Sequence, residues 1–202
     1  MKRLEMRLSG SGGQGLILAG IILAEAAILD KKNAVQSQSY GPEARGGSSK
    51  SEVLISEEAI HYPKVVKPDL LLAMTQEALD KYAHDLPNEA MLVIDTTFVK
   101  DIPTKFTNVY QLPITEKAKE VLGRSLFANI IAIGAIVALT KAVSKESAIK
   151  AVLARVPKGT EAKNEQAFEL GMSLAKKRNK ESAECGEAMD GFITRNVGNW
   201  LN

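Results

Sequence analysis

Cysteine is almost absent from this sequence, which has one among its 202 residues, Cys185. A single thiol excludes a disulfide, a zinc cluster or a cysteine-ligated iron–sulfur centre within the chain. Histidine is nearly as scarce, because only His61 and His84 occur, both in charged stretches with no triad or metal-binding pattern around them. We therefore expect a chain with no catalytic residues and no metal site of its own.

Long apolar runs and an excess of one charge are missing as well. No segment reaches the roughly 18 consecutive apolar residues of a membrane span, and the first residues lack the apolar stretch of a secretory signal. The formal net charge is +2 and the lysines are scattered, so there is no electrostatic footprint for nucleic acid. We expect a cytoplasmic protein without a membrane or nucleic-acid partner.

What is present is an alternation of strand and helix patterns. The predicted strands are residues 3–9, 34–39, 49–56, 69–74, 91–95 and 108–113. The predicted helices are residues 16–29, 75–84, 114–123, 125–140, 144–156 and 161–177, with Thr75 and Thr115 as N-caps. This order predicts an α/β fold, a mostly parallel sheet with helices on both faces and a Rossmann-like glycine turn after the first strand.

That turn carries the clearest binding signal. Gly10, Gly12 and Gly15 satisfy the spacing G-x-G-x-x-G between a strand and a helix, where backbone N–H groups and the helix dipole attract anions. NAD also needs an acidic residue at the end of the second strand, but residues 35–39 read Val-Gln-Ser-Gln-Ser. A Walker motif is excluded because no Lys is followed by Ser or Thr in the loop. We expect a phosphate-bearing ligand other than NAD, with a purely structural turn as the alternative.

A second glycine-containing loop spans residues 40–47. It follows the second strand, which we take to neighbour the first, so we expect it to face the glycine turn across the carboxyl edge of the sheet. Arg45 could bind a phosphate through two hydrogen bonds, and the flanking glycines permit close approach. The alternative is a surface turn with a solvated arginine.

Two asparagines fall in predicted helices. Asn129 interrupts an apolar helix, and a buried amide must be hydrogen-bonded. Its partner is either a backbone carbonyl of a neighbouring loop or a ligand. Asn164 lies at the start of a helix, where we expect it to be exposed or capping.

Three blocks together resemble a known family: residues 8–15, residues 39–47 and residues 127–134. They are similar to the γ subunit of 2-oxoacid:ferredoxin oxidoreductases, nearest the 2-oxoglutarate enzymes, and the Asn164-x-x-Ala167-Phe168 element agrees. The resemblance implies a γ domain over residues 1–178 and leaves residues 179–202 as a C-terminal tail outside it.

The resemblance implies a subunit that has no activity alone. It would pack on α and β subunits, with a ferredoxin-like δ subunit as a further candidate partner. Thiamine diphosphate, magnesium and [4Fe-4S] clusters would lie in those partners, which decarboxylate the 2-oxoacid and pass electrons to ferredoxin. Coenzyme A (CoA) accepts the acyl group, and the equivalent domain of the fused pyruvate enzymes contacts it.

Turn, loop and resemblance together define the candidate CoA-binding residues. They are Gly10, Ser11, Gly12, Gly13, Gln14, Gly15, Leu16, Tyr40, Arg45, Gly46, Asn129 and Asn164. The chain departs from the fused enzymes at the second loop, where they carry a lysine-rich version. Two other functions stay open, a scaffold subunit of the same complex with no ligand and an independent NAD-linked reductase.

Overall fold

The computed structural model describes residues 3–38 and 48–176, which form six strands and six α-helices. The strands are β1 (Arg3–Ser11), β2 (Asn33–Gln38), β3 (Ser48–Ser56), β4 (Leu70–Ala73), β5 (Met91–Asp95) and β6 (Val109–Leu112). The helices are α1 (Leu16–Leu29), α2 (Gln76–Tyr82), α3 (Ile114–Leu122), α4 (Ala128–Thr140), α5 (Lys145–Arg155) and α6 (161–176).

The strands form one sheet in the order β2-β3-β1-β4-β5-β6. Strands β1, β4, β5 and β6 are parallel, whereas β3 is antiparallel to both β1 and β2. The predicted mostly parallel sheet is confirmed. The expectation that β2 neighbours β1 is wrong, because β3 lies between them. Only residues 39–47 connect β2 to β3, which is shorter than the dozen or more residues that a parallel crossover needs.

Helices cover both faces of the sheet, as predicted. Strand β4 shows why, since it is buried on both sides: Leu70 and Leu72 belong to one apolar cluster, Leu71 and Ala73 to the other. Helix α2 packs on the second face, and the other five helices contribute to the cluster on the first. None of the helices in the described ranges has the length and apolar character that crossing a bilayer requires.

Helices α4 and α6 approach closely through glycines. A Cβ atom at Gly134 would overlap the backbone carbonyl of Phe168, and one at Gly171 would overlap that of Ile131. The paired positions run in opposite directions along the two helices, so the helices are antiparallel. The start of α6 therefore lies near the C-terminal end of α4.

Most predicted helix boundaries are confirmed, and two details are wrong. Helix α1 has the predicted bounds, and Thr75 Oγ1 accepts a hydrogen bond from Ala78 N at 3.3 Å, as an N-cap should. Thr115 is not an N-cap, because α3 begins one residue earlier with Pro113 in that position. The predicted helix over 125–140 begins as a short 3-10 helix, Ser125–Phe127, before α4.

Candidate functional site

The candidate site lies at the carboxyl edge of the parallel strands, where β1 and β4 end side by side. After β1 the chain moves toward β3 and β2, and after β4 it moves the other way toward β5 and β6. Helix α1 packs on one face and α2 on the other, so both helices begin beside the same crevice. Open α/β sheets bind ligands at such a switch point.

The glycine turn closes on itself between β1 and α1. Gln14 N donates to Ser11 O at 3.3 Å, and Gln14 Oε1 accepts from Ser11 N at 2.8 Å. Gly10 is enclosed, because a Cβ there would overlap Gln14 Oε1 and lie 2.9 Å from Met74 Cβ. Gly15 is the N-cap of α1 at φ 73°, in the left-handed region that glycine adopts without strain.

The outer part of the turn offers free backbone donors. Gly12 and Gly13 are exposed. Within the described residues, the N–H groups of Gly12, Gly13 and Leu16 have no hydrogen-bond acceptor. The first turn of α1 carries no acidic side chain. Free N–H groups at the positive end of a helix dipole form an anion cradle, so the geometry suits a phosphate.

Asn129, at the start of α4, is hydrogen-bonded to the backbone of this turn. It is 5% exposed, its Nδ2 donates to Gly15 O at 3.4 Å, and its Oδ1 accepts from Ile130 N at 2.9 Å. Of the two partners that the sequence left open, the structure contains the backbone carbonyl, and that carbonyl belongs to the glycine turn. Asn129 is thus joined to the candidate site as a support of its backbone.

Asn164 lies elsewhere. It is buried rather than exposed, and its Nδ2 donates to both Thr160 O, at 2.9 Å, and Thr160 Oγ1, at 3.0 Å, at the start of α6. Because α6 is antiparallel to α4, Asn164 lies near the C-terminal end of α4, whereas Asn129 lies at the N-terminal end of that helix. The structure does not bring these two asparagines together, and Asn164 serves the local structure of the α6 N-terminus.

The second loop, residues 40–47, lies outside the described residues, and its candidate site residues Tyr40, Arg45 and Gly46 lie outside them with it. The strand ends on either side of the loop are described, and Ser48 pairs with Ser11 at the end of β1. The loop is therefore attached at the same edge as the glycine turn, although β3, not β2, is the strand next to β1.

A cleft of about 230 Å³ adjoins the glycine turn on the α3 side. Gly13 and Gln14 form one wall, and Phe98, Thr115, Lys119 and Leu126 contribute to the rest. Sequence reasoning missed this cleft, because its residues come from three separate segments that only the fold brings together.

A buried carboxylate accepts hydrogen bonds from the backbone next to the cleft. Asp95, fully buried at the end of β5, accepts from Thr97 N at 3.0 Å through Oδ1 and from Thr115 N at 3.1 Å through Oδ2. Asp95 therefore accepts a hydrogen bond from an N–H group in the first turn of α3. The sequence pattern had predicted that the Thr115 side chain would do this as an N-cap, which is wrong. The available signal was an acid at the end of a buried strand followed by two threonines.

Neither histidine belongs to this edge. His61 follows β3, which runs antiparallel and so ends at the opposite edge, and His84 follows the far end of α2, with Nδ1 2.8 Å from Lys81 O. In the described parts of the chain no group of three or more His, Cys, Asp or Glu side chains could hold a metal ion. The site has the features of a binding site for an anionic ligand.

Fold and site define the class, an α/β domain whose switch point carries a glycine turn with free backbone N–H groups. A family model described as pyruvate ferredoxin/flavodoxin oxidoreductase matches residues 5–174. The 2-oxoglutarate synthase subunit KorC of Methanocaldococcus jannaschii is 52% identical over 177 residues, covering 86% of this chain and 95% of that protein. The chain belongs to the pyruvate ferredoxin/flavodoxin oxidoreductase family.

Two solved structures are similar to this chain in fold. The γ subunit of a keto/oxoacid ferredoxin oxidoreductase from Geobacter sulfurreducens has a TM-score of 0.78 and 51% identity, covering 87% of this chain and 97% of that one. The 2-oxoglutarate:ferredoxin oxidoreductase of Magnetococcus marinus, solved with 2-oxoglutarate, coenzyme A and succinyl-CoA bound, has a TM-score of 0.79. At 24% identity this second likeness shows the fold alone, over 87% of this chain and 31% of that longer one.

Proposed function

We propose that this chain is the γ subunit of a 2-oxoglutarate:ferredoxin oxidoreductase and that its glycine turn binds CoA. The observation that carries the assignment is the 52% identity to a 2-oxoglutarate synthase subunit of which 95% is covered. The γ domain is assigned to residues 1–178. The tail, 179–202, has no role in this proposal, and the complex is placed in the cytoplasm.

The free donors of the turn support CoA as the ligand. CoA carries a diphosphate and a further phosphate, and the N–H groups of Gly12, Gly13 and Leu16, which have no acceptor within the described residues, could donate to such a group. The chain's residues would hold the nucleotide portion, while the thiol of CoA accepts the acyl group elsewhere. Gly10 and Gly15 shape the backbone, and Asn129 supports it.

The topology argues against NAD. A dinucleotide fold places a second parallel strand beside the first, with an acid at its end for the ribose. Here the neighbour of β1 is the antiparallel β3, which meets the carboxyl edge at Ser48. Among the described residues, Ser48 is where the strand beside β1 meets this edge, and it is not the acidic residue that NAD requires.

The rest of the reaction belongs to partner subunits in this proposal. Thiamine diphosphate with magnesium would decarboxylate 2-oxoglutarate there, and [4Fe-4S] clusters would carry the electrons to ferredoxin. The α and β subunits are the proposed partners, with a ferredoxin-like δ subunit as a further one. Phe98 and Leu126, 44% and 68% exposed at the site edge, give a scaffold role without a ligand some support.

Calorimetry on the purified complex and on the chain alone tests the proposal. We expect heat of binding with CoA and none with NADH. If neither CoA nor NADH gives a heat of binding, the scaffold role without a ligand is favoured. A heat of binding with NADH would overturn the proposed CoA-binding function. Identification of the chains that co-purify from the native cell tests the partners.

A further inference from the structure

Helix α1 has an apolar outer side that the described residues leave partly uncovered. Glu25 is the only charged residue of the helix, and the rest of its sequence is apolar on every side. At its C-terminal end Ile28 and Leu29 are 61% and 42% exposed. A helix that is apolar all round is normally buried all round. We therefore expect a further segment to cover the outer side of α1.

The exposed end of α1 forms a groove with α5. The groove has a volume of about 490 Å³, and its apolar lining comes from Ile28 and Leu29 on α1 and from Ala151 and Ala154 on α5. The alanines are small, so the groove can accept large side chains between the two helices. Its shape and lining suit the apolar side of another helix.

The C-terminal tail carries a matching apolar stripe in its sequence. The stripe consists of Met189, Phe192, Ile193, Val197, Trp200 and Leu201. Positions 189, 193, 197 and 200 are separated by four, four and three residues, which is the spacing of one side of a helix, and the other two positions flank them. A helix this short is marginal in water by itself, so it needs an apolar surface to pack on.

The tail starts close enough to reach the groove. Helix α6 is antiparallel to α4, so it ends near the N-terminal end of α4, where Asn129 bonds Gly15. The groove begins at Glu25, ten residues along α1 from Gly15, which corresponds to about 15 Å. Residues 177–188 can span about 40 Å when extended. The stripe can therefore lie in the groove of its own chain.

The charges of the two segments are complementary. Residues 181–190, which lead into the stripe, contain four acidic side chains and no basic one. Lys150 lines the groove and has no ion pair within the described residues. Arg155 differs, because its Nε donates to Glu25 Oε2 at 3.0 Å. Lys150 is therefore available to an acidic side chain of the tail.

We propose that the apolar stripe of the C-terminal tail packs as a helix into the groove between α1 and α5 of the same chain. The stripe covers Ile28 and Leu29, and the acidic residues before it lie near Lys150. The family match ends at residue 174, so the contact is a feature of this chain outside the matched domain. The packed tail closes this face, so the partner subunits proposed above contact other surfaces. The inference does not depend on CoA binding.

The fluorescence of Trp200, the only tryptophan in the sequence, tests the proposal on the full-length chain. We expect its emission to lie at shorter wavelength than in the urea-unfolded chain and to be protected from acrylamide, equally at every protein concentration. The emission of a water-exposed indole would overturn the proposal. Protection that depends on protein concentration would identify a second copy as the occupant. Protection that needs the partner subunits would identify one of them, and either result overturns packing within the chain.

Two groove variants show whether this groove is the surface that covers Trp200. Ile28→Asn and Ala154→Glu place a polar or charged group on either wall, so the emission should move to the position seen in urea. Both residues are exposed, so neither change should unfold the domain. Val66→Asn is the matched control, because Val66 is 59% exposed and lies outside the groove. Equal emission of Ile28→Asn and Val66→Asn would overturn the assignment to this groove.

Variants of the tail provide the reciprocal test, read out with the dye 1-anilinonaphthalene-8-sulfonate, which binds exposed apolar surface. Val197→Ser breaks the stripe and should increase dye binding. Arg195→Ser lies on the opposite side of the helical pattern and should leave dye binding at the wild-type level. Adding Ile28→Asn to Val197→Ser should remove the increase, because the groove then loses part of its apolar wall. Equal dye binding by Val197→Ser and Arg195→Ser would show that the stripe is not the contact and would overturn the proposal.

Discussion

Gly15 and Gly13 differ in one respect that can be measured. Both have positive φ angles, 73° and 86°, so alanine at either position is strained. A Cβ at Gly13 would meet nothing within 4 Å, whereas one at Gly15 would lie 2.5 Å from Asn129 Nδ2. We therefore predict that Gly15→Ala destabilises the chain more than Gly13→Ala does.

The magnitude follows from two contributions. Left-handed backbone costs alanine about 1–2 kcal/mol, and the stiffer unfolded chain returns about 0.4–1 kcal/mol, which leaves about 1 kcal/mol for Gly13→Ala. Gly15→Ala must also displace the Asn129 amide and break its bond to Gly15 O, adding about 1–2 kcal/mol. For a domain of this size, 1 kcal/mol corresponds to about 2–4 °C in Tm.

Urea and thermal unfolding of the purified chain provide the assay, and an Asn129→Ala background provides the control. Removing the amide should bring the cost of Gly15→Ala close to that of Gly13→Ala, a coupling that a double-mutant cycle measures directly. The reasoning is refuted if the two alanine variants are equally stable, or if their difference persists without Asn129.

Three further predictions concern the activity of the chain alone, the glycine turn, and Asp30, whose carboxylate accepts hydrogen bonds from Ser144 and Ser147 at the start of α5. The chain alone should not reduce viologen with 2-oxoglutarate and CoA, and measurable reduction would contradict the proposed division of labour. Gly12→Val should raise the KM for CoA without preventing assembly, because a branched side chain blocks approach to the backbone donors; failure to assemble would favour the scaffold role. Burial tends to raise the pKa of Asp30, but hydrogen bonds from Ser147 and Ser144 outweigh it and lower this pKa below its ordinary value. Its stabilising contribution is therefore complete above about pH 4 and is lost as the pH falls through the lowered pKa, so the Tm gap between wild type and Asp30→Asn should narrow in acid.

Local patterns predicted the elements well because their causes are local. Helix α1 begins and ends where the apolar run meets Gly15 and Asp30, and Thr75 caps α2 through a bond three residues away. The glycine turn was predictable for the same reason, because the availability of its backbone N–H groups depends on the local backbone conformation and on the helix that follows. The order of the strands in the sheet was harder to predict, because the alternation of strands and helices along the sequence does not show that β3 lies beside β1.

The supports of the site could not be predicted, because each depends on a contact between distant segments. Asn129 bonds a carbonyl 114 residues away, and its need for a partner was evident from the sequence while the identity of that partner was not. Asp95 and Thr115 are 20 residues apart, with β6 between them. Helix α3 begins before Thr115, with Pro113 at the N-cap position, and the Asp95 carboxylate satisfies the backbone N–H of Thr115. The threonine hydroxyl therefore has no helix-capping role, and the sequence could not show this because Asp95 reaches α3 only in the folded chain.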